Sequence, residues 1–220
     1  MSVSVNAIIK NKNVSKNFER KIKGELVKLP TNILKTVKNN DGQYFLAPCM
    51  SDIRPELKGK TPEGWPEGMT WDDAEGACSY TDAYLFEKVF NKTKASISGD
   101  VYHETGHIVD KIFLKATGGL FSETSGFKEV YGVDLLNIYK KFGVNRELKL
   151  PNDNFDYFVQ GSRPYNHSRR GLEETFAEVF AVVSGSATSK LSNKFIVQNF
   201  PNTIKYVDKF MYLFGGKKQL

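Results

Sequence analysis

His103-Glu104-Thr105-Gly106-His107 is an H-E-x-x-H segment set in a helical pattern, and it uses two of the chain's three histidines. Residues four apart on a helix stand one turn above each other on the same face. Two imidazoles at that spacing can converge on one tetrahedral zinc ion, and the glutamate after the first can reach a water held there. The chemistry on offer is hydrolysis. Zinc lowers the pKa of a bound water toward ~7, and Glu104 takes its proton as general base and later passes it to a leaving amine. The plain alternative is an exposed helix face that happens to carry two histidines and a glutamate.

A hydrolytic zinc needs a third protein ligand and one open position. The metzincin completion would put Gly at 110 and His at 113, where this chain has Asp110 and Phe113. The third ligand is then a carboxylate or the remaining histidine, His167. The segment Glu173-Glu174-Thr175-Phe176-Ala177-Glu178-Val179-Phe180-Ala181 offers the better candidate. On a helix Glu174, Ala177, Glu178, Ala181 and Gly185 share one face, and Phe176, Phe180 and Val183 share the other. Small residues beside the carboxylates allow close approach to a second helix. Glu174 can ligate the metal, and Glu178, one turn on, can accept the second ring N–H of a ligating histidine, which fixes the tautomer. Glu173 reads as an acidic helix start. For the oxyanion donor, Tyr165, nine residues before Glu174, is the candidate, an ordinary loop aromatic being the other reading.

These side chains need elements to hold them. Advancing about 100° per residue puts Val101, Thr105, Ile108, Val109, Ile112 and Ala116 on one side of the histidine helix. His103, His107 and Asp110 fall on the other, so the histidine face can line a cleft and Asp110 can support the ligands. Ser98-Gly99-Asp100 reads as the helix start and Gly118-Gly119 as its end. Phe18, Ile22, Leu26, Leu29, Ile33 and Val37 form an apolar stripe at helical spacing, broken at Pro30. Thr31 or Asn32 can cap the second helix, which runs to about Asn39. Gln43–Ala47 reads as a strand, and Cys78–Phe86 as a second strand whose edge could bind an extended peptide, with Tyr84 in contact with it. Residues 51–76, around Trp65 and Trp71, read as a long ordered loop or lid. Further helices are expected over about 123–142, 172–184 and 202–214, with a short helical piece between the last two.

With 220 residues, 40% of them hydrophobic, the chain suits one domain or two small lobes. No apolar run reaches the ~18 residues of a membrane span, and the first 16 residues lack the order of a secretory signal peptide. Cys49 and Cys78 lack the spacing of a zinc knuckle or redox pair and read as ordinary thiols. Residues 1–40 hold nine Lys/Arg against two Glu, and the rest holds 22 basic against 23 acidic residues. The apolar stripe makes those lysines a solvated helix face, and no nucleic-acid motif accompanies them. Residues 1–19 read as an N-terminal extension, 20–118 as an N-terminal lobe and 119–220 as a helical lobe.

Three segments together resemble the anthrax lethal factor-like zinc metallopeptidases, which include clostridial Pro-Pro endopeptidases. HETGHIVD (103–110) is similar to the family's active-site helix, EETFAEVFA (173–181) to its glutamate helix, and TPEGWPEGMTWDD (61–73) to a stretch of the Pro-Pro enzymes. The resemblance implies an α+β, mostly helical zincin-like domain with a small mixed sheet. It also implies one zinc on His103, His107 and Glu174, with Glu104 as base and Trp65 lining the substrate pocket. The expected activity is a secreted endopeptidase, possessed by some members as toxins, acting as a monomer on a peptide or protein. Two departures stand out. The family's catalytic tyrosine usually sits seven residues before the glutamate ligand, where this chain has His167. The loop after EGW and the strand YTDAYLF also differ from the proline-specific enzymes. The competing class is a peptidase-like module that binds a protein partner without cutting it.

Overall fold

The computed structural model describes residues 4–62, 65, 67–93, 96–142, 154–185 and 191–213. Among them a four-stranded mixed sheet carries the order β1-β2-β4-β3. β1 (Ile9–Asn11) runs parallel to β2 (Gln43–Ala47), and β2 runs parallel to β4 (Asp82–Phe86). β3 (Gly76–Ser79) is antiparallel to β4, with Gly76 opposite Leu85 and Ser79 opposite Asp82. The helices are α1 (Lys16–Leu26), α2 (Thr31–Asn39), α3 (Glu87–Thr93), α4 (Ile97–Thr117), α5 (Ser125–Phe142), α6 (Asn154–Val159), α7 (Arg169–Val183), α8 (Leu191–Asn199) and α9 (Pro201–Leu213). No helix among the described residues is long and apolar enough to cross a membrane.

Alternation along the strands builds two cores. Tyr44, Leu46, Ala83 and Leu85 point to one face and join α1, α2 and α4, with Phe18, Ile22, Leu26, Ile33 and Val37 buried beneath. Ala47 and Phe86 point to the other face, where Met50, Trp65, Trp71, Ala77 and Tyr84 gather around short helical turns. The lid expected over 51–76 is this second cluster, with the two indole rings 6.3 Å apart. Both cysteines are free thiols.

Three expectations change. The single strand over 78–86 is a hairpin. Tyr80-Thr81 turns it, with Tyr80 at φ 53, the positive φ that two-residue hairpin loops demand. The sheet edge is therefore β3, and β4, which carries Tyr84, is paired on both sides. The start of the chain is not a mere extension, because Ile9–Asn11 forms β1 and Ile8 is fully buried. Finally, α4 begins earlier than Ser98. It is sandwiched between the sheet and α7, and His107 and Asp110 are buried along with the apolar side. Its N-cap is Ser96, two residues before the expected Ser98: Ser96 Oγ accepts the Gly99 N–H at 3.3 Å, and Gly118, at φ 82, closes the helix.

Candidate metal centre

α4 is fixed first to the sheet. The Thr105 hydroxyl donates to Val101 O at 2.6 Å, so the buried Tyr44 hydroxyl of β2 donates to Thr105 Oγ1 at 2.7 Å. That bond anchors the residue next to Glu104. On the far side of α4 lies α7, whose start is capped by Ser168 Oγ accepting the Gly171 N–H at 3.0 Å. The two helices nearly touch. A Cβ at Gly106 would meet Ala177 Cα at 2.8 Å and Ala177 O at 3.1 Å. Glycine on one helix and alanine on the other bring the backbones close enough for short side chains to share one point. An ion-pair clasp adds to this: Lys111 Nζ of α4 donates to Glu173 Oε2 at 2.5 Å, and Arg169 Nε donates to Glu173 Oε1 at 2.8 Å. Glu173 is thus a tie between helices rather than a solvated helix start.

At that shared point His103, His107 and Glu174 converge, with one ligand atom from each within 4.8 Å of the others. His103 Nε2 and His107 Nε2 are 3.1 Å apart, and Glu174 Oε2 lies 3.3 Å from the first and 3.5 Å from the second. Donors held 2.0–2.1 Å from a tetrahedral zinc stand about 3.3–3.4 Å apart, so the donor set fits that ion without rearrangement. The other ring nitrogen of His103 donates to Glu178 Oε2 at 3.0 Å. With Nδ1 carrying the proton, Nε2 turns its lone pair toward the Glu174 oxygen. Such an assembly calls for a cation, whether metal or proton.

The electrostatics carry the same demand. Burial alone would push the His103 imidazole down, but its hydrogen bonds to Glu174 and Glu178 outweigh that and hold it well above its ordinary value. Burial would likewise push the Glu174 carboxyl up, and the two histidines hold it well below the usual carboxylate range. Glu104 is buried beside the cluster at 6% exposure, against the bare backbone of Gly76 on β3.

Of the two open alternatives for the third donor, the structure brings Glu174 to the histidines and keeps His167 away. The His167 ring donates to Pro164 O at 2.9 Å and packs edge-on against Tyr131. Tyr165 does not reach the cluster either. A tight turn closed by Arg163 N–H to Asn166 O at 2.7 Å leaves it 90% exposed at the tip. The phenol that arrives is Tyr157 of α6, whose hydroxyl donates to Glu174 Oε2. α6 is tied to α7 there, since Phe158 O accepts from Thr175 Oγ1 at 3.1 Å and from Tyr131 OH at 3.0 Å. Burial of the hydroxyl, with the Glu174 charge beside it, pushes the Tyr157 pKa well above the ordinary phenol value. Nothing in the spacing marks Tyr157. The one signal is a tyrosine beside the apolar pair Phe158-Val159 in a short helical stretch.

Asp110 is fully buried and makes its hydrogen bonds with Ser122, accepting the backbone N–H at 2.9 Å and the hydroxyl at 2.6 Å. These bonds pin the chain that follows α4 to the helix, and burial pushes the Asp110 carboxyl above its ordinary value. Trp65 and Tyr84 lie in the lid-side cluster, on the sheet face opposite α4, where Tyr84 stacks on Phe45.

The comparisons with known proteins point one way. A Pro-Pro endopeptidase of Paenibacillus alvei is 29% identical over 160 residues, an alignment that takes in 67% of this chain and 65% of that relative's length. The solved structure of the PRO-PRO endopeptidase from Paenibacillus alvei superposes with a TM-score of 0.58 at 22% identity, covering 94% of this chain and 98% of that one. The fold is thus the α+β zincin-like fold expected from sequence. A family profile, "Anthrax toxin lethal factor, N- and C-terminal domain", matches residues 2–210, a span that takes in α4, α6 and α7, and the chain belongs to that family.

Proposed function

We propose that this protein is a zinc-dependent endopeptidase of the gluzincin type, with His103, His107 and Glu174 as ligands and Glu104 as general base. One observation carries the reading: two imidazoles and a carboxylate, from two helices, converge at zinc-ligand spacing beside a buried glutamate. Zinc, when bound there, supplies Lewis acidity toward water and toward the scissile carbonyl. Glu104 takes the proton of the attacking water and returns it to the departing amine. The Tyr157 hydroxyl, kept protonated at neutral pH, leaves Glu174 to donate to the developing oxyanion. Glu178 holds the Nδ1 proton of His103, so Nε2 stays directed inward. Among the described residues no strand pairs with the outer side of β3, which offers its backbone groups to an extended peptide that would lie alongside Glu104. The curated relative's name directs the first substrates to be tried, peptides with Pro-Pro bonds, although a broad library is the proper probe.

The test is zinc content and peptide-library cleavage by wild type beside Glu104→Gln. Wild type should hold one zinc per chain and cut. Glu104→Gln should hold the zinc and lose kcat by at least ~10²-fold. A zinc-loaded wild type that cuts no better than Glu104→Gln would leave a binding module in place of an enzyme.

A further inference from the structure

Within β3, Gly76 and Cys78 point to the same sheet face, the one against α4, while Ala77 points to the lid side. Position 78 presents a thiol to α4 and position 76 presents nothing. The backbone at Gly76 does not ask for glycine, since it is absent from the glycines with positive φ (59, 68, 118, 161 and 185). A glycine inside a strand also weakens it. What the position does require is space. A Cβ built there would stand 2.7 Å from Glu104 Oε1, 3.1 Å from Cγ and 3.2 Å from Cδ.

We propose that Gly76 is a positioning residue for Glu104: its bare backbone is the wall against which the carboxylate rests, and its lack of a side chain sets how far from the histidines the carboxylate stands. The inference builds on the reading of Glu104 as general base. The three atoms nearest to a methyl at 76 all belong to the Glu104 side chain, whereas at Gly106 the two nearest are α7 backbone. A side chain can swing where a backbone cannot. The strain of a methyl at 76 is therefore relieved by turning the carboxylate, with α4, β3 and the donor cluster left in place. A reacting group misplaced by about 1 Å loses on the order of 10²-fold in rate. The fold loses little.

The experiment is Gly76→Ala in the zinc-loaded protein, read by zinc content, by kcat and KM on whichever library peptide wild type cuts, and by crystal structures of both proteins. Zinc should remain at one per chain, KM should stay within threefold, and kcat should fall about 10- to 100-fold. The Glu104 carboxylate should move by about 1 Å while the His103, His107 and Glu174 donors superpose. A raised KM with kcat intact would mean that Gly76 clears room for the substrate backbone, and it would overturn the proposal. So would a Glu104 that stays put while β3 retreats. Were wild type itself to cut no better than Glu104→Gln, the enzymatic reading would fall, and the two crystal structures would still decide whether residue 76 sets the Glu104 carboxylate.

Discussion

Gly106→Ala probes the closeness of α4 and α7. The added methyl would lie 2.8 Å from Ala177 Cα, 3.1 Å from Ala177 O and 3.2 Å from Phe180 Cβ. Ordinary carbon contacts lie at about 3.5–4.0 Å, so α7 must retreat by roughly 0.7–1.2 Å. Overpacking of this kind costs about 1–3 kcal/mol, and the better helix propensity of alanine returns about 1 kcal/mol. The net loss is ~0–2 kcal/mol, or roughly 0–8 °C in Tm for a chain of this size. The metal feels the shift more. Glu174 and Glu178 flank Ala177 on α7, and Glu174 Oε2 now stands 3.3 and 3.5 Å from the two imidazole nitrogens. Metal–ligand distances tolerate only about ±0.2 Å, so zinc affinity should fall about 10- to 100-fold, measured by competition with a chromophoric chelator. Gly24→Ala is the control. It sits in α1 with nothing within 4 Å of the new Cβ, so it should gain about 0.5–1 kcal/mol with zinc affinity unchanged. A Gly106→Ala protein that binds zinc within twofold of wild type at an equal or higher Tm would refute this picture of the helix contact.

Tyr157→Phe should lower kcat by about 10²–10³-fold with zinc retained, while Tyr165→Phe should change it less than twofold; steady-state kinetics that reversed the two would return the oxyanion role to the loop. Glu178→Gln should weaken zinc binding about 10- to 100-fold while leaving the cluster's three donors in place, as read by the same chelator competition. The metal-free protein should show a particular pH profile. His103 is raised above 6.5, so its contribution to stability is complete below that pH and is lost as pH rises through its folded value. Glu174 is lowered below 4.5, so its contribution is present above that pH and is lost as pH falls through its folded value. With chelator present, the thermal midpoint should be highest between pH 4.5 and 6.5 and decline toward alkaline pH, a decline that bound zinc removes. A metal-free midpoint that climbs steadily above pH 6.5 would contradict the assignment.

What could be read from the sequence was what has a local period. The offsets 103/107 and 174/178 place side chains on one helix face whatever surrounds them, and Gly118 ends α4 for reasons of its own backbone. The β2 bounds Gln43–Ala47 came out the same way. What escaped depends on distant pieces of chain. β1 is three residues long and exists because β2, over thirty residues later, pairs with it. The hairpin at 78–86 was hidden because Tyr80-Thr81 lacks the Gly or Asn that usually announces a positive φ. Burial of the histidine face of α4 is imposed by α7, not by α4's own pattern. Tyr157 stands 17 residues before Glu174, and its place is set by how α6 docks on α7 through Phe158 O, a backbone atom that no residue pattern encodes.

The halves of the cluster sit on either side of the lobe boundary expected near residue 118. α4 packs on the sheet, and α7 packs with α6, α8 and α9. Neither helix alone brings three donors together, so the site comes into being only when α4 and α7 dock. A ligand that binds the docked state and not the separated one stabilises docking by the whole of its binding free energy. The carboxylates of α7 pull against an unfilled site by holding a proton on His103, which is why the metal-free cluster should loosen as that proton leaves. A metal bound there would clamp the two halves together as well as serve as the proposed Lewis acid. Removing it with chelator at alkaline pH should lower protection from amide exchange first along the α4–α7 seam, at Gly106 and Ala177. Uniform loss of protection across sheet and helices alike would show that the seam opens only with the whole fold.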